Sequence, residues 1–448
     1  MPAAVLNVKT TIDESPMTPR RWLVIAACFV IALLDGFDTQ SIAFVGSSIA
    51  EDFSMTTLQM TWIITGSTIG MTIGAITLGS VGDRIGRKNT LFLAMTIFGV
   101  FSVLGAFAQA PWQIVALRVL IGLGIGGATP SLLALAAEFS SNRHRGIAMT
   151  LVLLGLPGGA LLGGVVAAAW LPVLGWRGIF LLGGVLPLLM ILILIFCPES
   201  PTFLVAHGGE RNHRRAVTLM RKMTDNSIPD DVEFVSEREQ QTAGSIRSLF
   251  AVEYRATTIA VCLVYLANWV AWFLLLQWMP TALNELGLSQ AQAASGTIIV
   301  NGAFIVFSFP ISAALTRVRT RTLLLTMFGA GILIALGIAM IGSAWGLTLV
   351  LIALAGFGIG GQQLVLNYLV ANAYPTQLRG TATGFSIGIG RLGSIVGSAL
   401  GGWLLASFGV GGYFAAIALP LAVAAVATLL IRQPQPVFDD RALAEHSA

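Results

Sequence analysis

Two aspartates and two arginines interrupt segments that are otherwise as apolar as the core of a bilayer. Asp35 and Asp38 lie in the stretch "FVIALLDGFDTQSIAFVG" (residues 29–46), and Arg118 and Arg391 lie in two glycine-rich stretches further along the chain. Charged side chains inside a membrane are costly, so they are rare and usually functional. A carboxylate there can bind and release a proton, and a guanidinium can bind another carboxylate through two parallel hydrogen bonds.

The spacing of the two aspartates predicts that they lie close together. Residues three apart share a helix face, and two neighbouring carboxylates resist joint ionisation, which favours proton binding by one of them. Counted at ~1.5 Å per residue, they lie ~21 to 26 Å from Arg21, and Arg118 lies ~9 Å from the opposite end of its own segment. The depths overlap, so the sequence predicts an Asp–Arg pair with a proton-coupling role. Asp38 is preferred as the proton carrier, because we expect it to be more exposed to the entrance at the opposite end. A static salt bridge between two helices is the alternative.

Arg391 lies ~18 Å from Arg379 along its helix, close to the middle of a bilayer core of ~30 Å. No acidic residue of the same half of the chain lies at that depth. We therefore expect Arg391 to bind the carboxylate of a substrate. The alternative is an interaction with Asp35 or Asp38.

Amide and aromatic side chains offer partners for the rest of such a substrate. Asn268 and Trp272 are four residues apart on one apolar segment, and Gln363 and Asn367 are four apart on another, so each pair shares a helix face. We expect these four residues to bind substrate. For the tryptophans of this region (Trp269, Trp272 and Trp278), contact with lipid is the alternative.

The composition requires a membrane as the solvent for these segments. Of the 448 residues, 56% are hydrophobic and only 10% are charged, and the mean hydropathy is +0.83. A membrane-spanning helix needs ~20 mostly apolar residues. Twelve such segments are present, so the predicted fold is an all-α membrane protein with twelve transmembrane helices. They are centred near residues 34, 69, 99, 125, 158, 186, 269, 303, 330, 358, 392 and 421.

A repeat divides these helices into two halves of six. "GLGIGG" at 122–127 recurs as "GFGIGG" at 356–361, and the Arg-Gly pair at 145–146 recurs at 379–380, both 234 residues later. Two six-helix halves around a central site are a transporter architecture. The predicted organisation is an N-terminal tail (1–21), a first half (22–197), a polar linker with short helices (198–255), a second half (256–431) and a C-terminal tail (432–448).

Charge sets the expected orientation. Of the 25 Lys and Arg residues, all but Arg118, Arg177 and Arg391 lie on the face that the two termini share. The positive-inside rule then places both termini in the cytoplasm, in the inner membrane of a bacterium. The formal net charge of +4 reflects this bias and gives no argument for a nucleic-acid partner. Residues 1–21 do not resemble a cleaved signal peptide.

Other chemistries find no support in the sequence. The three cysteines suggest neither a disulfide framework nor a metal site, and all four histidines lie in predicted cytoplasmic segments. No serine–histidine set and no phosphate-binding Walker motif is present. We expect no enzyme activity, no metal and no cofactor, with a proton, a small solute and membrane lipid as the partners of a monomer.

Three motifs resemble those of the major facilitator superfamily. They are "GSVGDRIGRK" (79–88), "RVLIGLGIGG" (118–127) and "PESPTF" (198–203). The pattern D-G-x-D, "GIGRLGSIVG" (388–397) and "YPTQLRGTATG" (374–384) are similar to the narrower group of aromatic acid:proton symporters. The resemblance implies import of a benzoate-like acid with a proton, and it implies that the helices of Asp35 and Arg118 line one cavity.

The resemblance also implies a gate. Asp83, Arg84, Arg87 and Lys88 belong to its loop motif, and Asp83 could rest at the N-terminus of the eleventh helix near Gly380. Glu138 and Arg145 are expected in the same network. The matching loop of the second half has Thr316 in place of Asp83.

The sequence thus predicts a proton-coupled importer of a small aromatic carboxylate. An aliphatic acid or a sugar as cargo, or a drug:proton antiporter, are the alternatives. The antiporter is disfavoured by Arg391 and by "GLPGGALLGG" (155–164), which matches the antiporter motif only in part.

Overall fold

The computed structural model describes residues 4–224, 232–235, 246–315, 317–341 and 344–431. Its helices are α1 Val8–Glu14, α2 Pro19–Asp52, α3 Thr57–Ile85, α4 Arg87–Gly105, α5 Pro111–Glu138, α6 Asn142–Phe196, α7 Pro201–Ala206, α8 Glu210–Met223, α9 Ile246–Leu249, α10 Arg255–Glu285, α11 Gln290–Leu315, α12 Thr320–Ile341, α13 Trp345–Ala355, α14 Gln362–Ala373 and α15 Thr376–Leu430. A π-helical turn, Gly356–Gly360, joins α13 to α14, and two short strands, β1 Ala4–Asn7 and β2 Val232–Val235, complete the fold.

Ten helical segments within the described residues are long and apolar enough to cross a membrane. Two of them, α6 and α15, have 55 residues each, or ~80 Å at the α-helical rise, far more than a ~30 Å core needs. Both break at a glycine with positive φ, Gly175 (φ 63°) and Gly409 (φ 66°). Glycine suits such breaks because it has no Cβ to clash in this conformation. Each long helix therefore accounts for two of the twelve predicted spans, which we call its first and second arms.

The internal repeat reappears in the helix geometry. The breaks at residues 175 and 409 are 234 apart, which is also the offset of the repeated glycine motif. Matching helices also pair alike, since α2 packs on α6 and α10 packs on α15. Gly36 and Gly393 let these backbones approach closely, because an added Cβ would lie 1.9 Å from the Leu156 carbonyl and 2.3 Å from the Leu266 carbonyl.

The N-terminal tail and the linker meet outside the bundle. β1 pairs with β2 in parallel, Ala4 opposite Val232 and Asn7 opposite Val235. The short linker helices expected from the sequence are present as α7, α8 and α9. The strand pair was not predicted, because four residues with no regular alternation are too short to indicate a strand.

Candidate functional site

The expected ion pair between α2 and α5 is present. Arg118 donates from Nη1 to Oδ1 of Asp38 over 3.0 Å, and the two side chains are only 1% and 4% exposed. Nη2 of Arg118 also reaches the main-chain oxygen of Asp38 at 3.4 Å. Such burial makes the pair hard to break, since each charge would be left without a counter-charge.

Asp35 has a different environment. Its Oδ1 accepts a hydrogen bond from the Thr39 hydroxyl (3.2 Å), and its Oδ2 accepts one from the Thr129 hydroxyl of α5 (3.3 Å). Both partners are neutral, and neither was predicted. Thr129 could have been found, because it lies eleven residues, or three helical turns, beyond Arg118 on the same face of α5.

The two aspartates therefore share a helix face but not a partner. Arg118 binds Asp38, and hydroxyls bind Asp35. The greater exposure expected for Asp38 is not observed, since the two residues are 3% and 2% exposed. In this conformation the depth of each residue in the membrane does not set its exposure, because neighbouring helices cover both.

Arg391 reaches from the first arm of α15 into the other half. Its Nη1 donates to the main-chain oxygen of Met71 on α3 at 3.4 Å, and the sulfur of Met71 lies 3.8 Å from the Thr39 hydroxyl. The charges of Arg391 and Asp35 act on each other, although no ion pair within 4.0 Å joins Arg391 to a carboxylate of the described residues. The alternative that the sequence left open, an interaction with Asp35, is limited here to the electrostatic influence of one charge on the other. The N–H groups of the Arg391 guanidinium therefore contact no carboxylate of the described residues.

An amide cluster joins α10 to α14. Asn268 and Trp269 both donate to Oε1 of Gln363 (3.3 and 2.7 Å). Nε2 of Gln363 and the Tyr265 hydroxyl both donate to Oδ1 of Asn367 (3.0 and 2.9 Å). In the described part of the chain, the buried Oδ1 of Asn268 has no hydrogen-bond partner, which leaves it as an acceptor for a ligand hydroxyl.

Trp272 lies outside this cluster, which corrects the expectation that it accompanies Asn268. Its ring packs against Phe304 of α11, with centroids 6.1 Å apart, and against Gly360 of the π turn. Trp269 takes its place, since its indole nitrogen donates to Gln363; the shared helix face of Asn268 and Trp272 did not determine which of the two tryptophans reaches α14. Trp278 does not face lipid either: it is fully buried and donates to the Ser398 carbonyl at 2.8 Å.

The amide cluster is next to Arg391. A Cβ added to Gly390 would lie 3.0 Å from the indole nitrogen of Trp269, so this ring packs on the α15 backbone one residue before the arginine. The indole and the amides thus lie against α15 at the residue that precedes Arg391, where α10, α14 and α15 converge. Such a surface can hold a planar anion with a polar substituent.

Three side-chain contacts join the two halves at one end of the bundle. We call the end where α2 begins and α15 finishes the terminal end, and the opposite end the far end. Beyond Asp35 towards the far end, Gln40 donates to the Leu276 carbonyl (2.8 Å), Gln277 donates to the Thr39 carbonyl (3.2 Å), and Thr68 lies 3.4 Å from Ser398. The far end is therefore closed in this conformation.

The predicted gate residues are only partly brought together. Glu199, which follows α6, accepts from the main-chain nitrogen of Lys88 at 3.0 Å, and Nζ of Lys88 donates to the Ile195 carbonyl at 2.9 Å. Ser200 donates to Glu138, whose charge also interacts with that of Arg87. Glu199 and Ser200 were not predicted as members, although their motif "PESPTF" had been noted.

The remaining gate residues lie elsewhere. Arg145 forms an ion pair with Asp13 of α1 (2.6 Å), so it joins the N-terminal tail and not the Glu138 network. Its guanidinium also donates to the carbonyls of Ala137 and Ser140 near the end of α5, both at 3.4 Å. Arg84 is exposed, and the Asp83 side chain and Thr316 lie outside the described residues.

Comparison with known proteins identifies the family. The profile of the Major Facilitator Superfamily matches residues 28–385 and 257–446. The chain belongs to this superfamily. It is a multi-pass membrane protein of a transporter family and not an enzyme.

This superfamily member resembles several curated transporters along nearly its whole length. It is 32% identical over 428 residues to the gallate transporter of Pseudomonas putida, covering 95% of each chain. It is 33% identical over 433 residues to the 4-hydroxybenzoate transporter PcaK of Pseudomonas aeruginosa, again covering 95% of each. The 3-(3-hydroxy-phenyl)propionate transporter of Escherichia coli is 30% identical, with 94% of this chain and 96% of that one covered.

A solved structure shows the same fold. The xylose transporter XylE of Escherichia coli, in a partially occluded inward-open conformation, superposes with a TM-score of 0.73 at 19% identity. The match covers 91% of this chain and 97% of that one.

Proposed function

We propose that this transporter imports a small aromatic carboxylate, of the benzoate or hydroxybenzoate type, together with a proton. The observation that carries the proposal is Arg391, a deeply placed cation whose charge acts on Asp35 and which has no carboxylate within 4.0 Å among the described residues. The names of the relatives support an aromatic acid as cargo, since gallate and 4-hydroxybenzoate both have a carboxylate and ring hydroxyls.

Arg391 links substrate binding to proton binding. With no substrate present, its charge partly balances that of Asp35. A substrate carboxylate that docks on Arg391 uses this positive charge, so a negative Asp35 becomes less favourable and binds a proton. One anion and at least one proton then cross together. Arg118 holds Asp38 as its permanent partner, so Asp35 replaces Asp38 as the preferred carrier.

The amide cluster recognises the ring. The ring of Trp269 provides apolar surface, and the amides of Asn268, Gln363 and Asn367 provide donors and acceptors for a ring hydroxyl. A site that hydrogen-bonds a hydroxyl rejects an analogue without it, because its polar groups are then left unpaired.

Alternating access exposes this site to one side at a time. The terminal end faces the cytoplasm of a bacterial inner membrane, as the distribution of basic residues predicts, so the contacts at the far end close the site towards the outside. Arg84, Arg87, Lys88, Glu138 and Asp83 regulate opening at the terminal end, and Arg145 acts there through α1. The protein works as a monomer.

Uptake of radiolabelled 4-hydroxybenzoate tests the proposal. Cells that express the protein are assayed at about pH 5.5 and about pH 7.5, with and without a protonophore, against cells with an empty vector. We expect faster uptake at the acidic pH and its loss with the protonophore. Uptake of an aliphatic dicarboxylate or of D-xylose, with silence from a panel of benzoates, would contradict the aromatic substrate. Efflux of the acid driven by an inward proton gradient would favour an antiporter.

A further inference from the structure

A second cavity lies outside the bundle, far from Arg391 and the amide cluster. It has a volume of about 570 Å³ and opens where α2 begins, α6 ends and α8 passes beside them. We call it the α8 pocket. Its wall contains Arg20, Arg215 and Lys222 and no acidic residue of the described chain.

The cations of the α8 pocket are available. Within the described ranges, Arg20, Arg215 and Lys222 form no hydrogen bond and no ion pair, and all three are exposed. Two other arginines of the wall are already engaged. Arg214 pairs with Glu210, and Arg21 is buried and donates to the carbonyls of Phe139, Ile12 and Pro16 (2.8, 3.1 and 2.9 Å). The pocket therefore presents unneutralised positive charge.

The pocket is also apolar on one side. Leu23 and Phe196 belong to its wall, and Phe196 is 80% exposed at the last turn of α6. Ile193 and Leu192, one turn earlier on α6, are exposed as well, so an apolar strip runs from the pocket along the membrane-facing side of the helix. A small soluble anion would leave this strip unused, whereas an acyl chain would cover it.

The orientation of α8 explains why the charges face the pocket. Ala216, Met220 and Met223 are buried on one face of the helix. Arg215, Thr218 and Lys222 follow at spacings of three and four on the adjoining face, which lines the cavity. The helix is thereby held by its apolar face with its basic face at the level where two membrane spans end, the level of lipid headgroups.

We infer that the α8 pocket binds an anionic phospholipid, with the phosphate between Arg20, Arg215 and Lys222 and an acyl chain along Leu23 and Phe196. Free phosphate could contact the same three cations as the phosphate of a lipid. Only a lipid also has an acyl chain that covers the apolar strip, so the strip favours the lipid. The proposal is independent of the transported substrate.

Lipid binding to the purified full-length protein in detergent tests the inference. Fluorescent phosphatidylglycerol and phosphatidylcholine with the same acyl chains are titrated against the wild type and against R20A/R215A/K222A. We expect phosphatidylglycerol to bind much more tightly than phosphatidylcholine. Each charge removed should weaken it about fivefold, so the triple variant should lose about a hundredfold. The matched control is Arg211→Ala, on α8 but not in the pocket wall, which should change binding less than twofold.

Other outcomes overturn the inference. Equal binding of the two lipids, an unchanged triple variant or an equal loss in Arg211→Ala would each do so. Displacement of the lipid by inorganic phosphate at equal concentration would assign the site to a soluble anion. Because the triple variant could be unstable, photoactivatable phosphatidylglycerol is also crosslinked to the wild type. Labelled peptides should come from 20–23, 196–198 and 214–223, and labelling confined to other regions would contradict the site.

Discussion

Gln277 donates a hydrogen bond across the two halves to the main-chain oxygen of Thr39, over 3.2 Å. The hydroxyl of the same Thr39 donates to Asp35. One residue therefore touches both the closed far end and the candidate proton site. A change of protonation at Asp35 alters the partner of Thr39, and the contact with the second half lies only a few bonds away.

Loss of this contact should favour opening at the far end. Gln277→Leu removes a hydrogen bond whose net contribution is about 0.5–1.5 kcal/mol, which shifts the equilibrium between the two conformations by about two- to tenfold. Spin labels on Trp112 and Leu347, exposed residues near the far end of each half, should report a larger population of long distances. Gln113→Leu is the control, because the Gln113 side chain accepts a hydrogen bond from Gln109 of its own half. An unchanged distance distribution would show that this contact does not hold the far end closed.

Neutralising the two aspartates should have different effects. Asp35→Asn keeps a side chain that can bond the neutral Thr39 and Thr129, so we expect the protein to fold and to exchange substrate across proteoliposomes. It should not accumulate substrate against a gradient when a pH difference is applied. Accumulation driven by the pH difference in this variant would remove Asp35 from proton coupling.

Asp38→Asn should instead damage the fold. It leaves Arg118 buried without a counter-charge, and breaking a buried pair in this way costs about 3–5 kcal/mol. We expect a lower melting temperature in detergent and loss of both exchange and accumulation. A protein as stable as the wild type that has lost only accumulation would return the proton-carrying role to Asp38.

Arg391→Lys tests how the carboxylate docks. Lysine keeps the charge but cannot form two parallel hydrogen bonds, so we expect KM for 4-hydroxybenzoate to rise by about tenfold or more while proton-driven accumulation persists. Arg379→Lys is the control, since Arg379 is exposed on the same helix twelve residues earlier. An unchanged KM in Arg391→Lys would exclude bidentate docking.

The amide cluster should set the preference for a ring hydroxyl. Asn367→Leu removes the acceptor shared by Tyr265 and Gln363, and we expect the ratio of kcat/KM for 4-hydroxybenzoate over benzoate to fall by about tenfold. Asn372→Leu should leave this ratio unchanged, because the Asn372 side chain is exposed and donates to the Tyr368 carbonyl of the same helix. An equal decrease of kcat/KM for both substrates would mean that the cluster stabilises the packing of the helices and does not bind the ring hydroxyl.

Composition and hydrophobic pattern were enough to predict the membrane environment, the spans and the repeat. Apolar length fixes where a chain can cross a bilayer, and the glycine motif 234 residues apart anticipated the matching breaks at Gly175 and Gly409. Depth along each helix also follows from the fixed rise per residue. It was enough to bring Asp38 and Arg118 to the same level.

Which side chains meet at that level could not be predicted from the sequence. Spacing gives the face of a helix on which a residue lies, but not how that helix is rotated against its neighbours. Because of that rotation, Arg118 pairs with Asp38, and Asp35 contacts two threonines. Trp269, and not Trp272, contacts Gln363 for the same reason, and Arg145 pairs with Asp13. The rotation depends on packing between helices that are distant in sequence, as at Gly36 against Leu156, and local periodicity carries no record of such contacts.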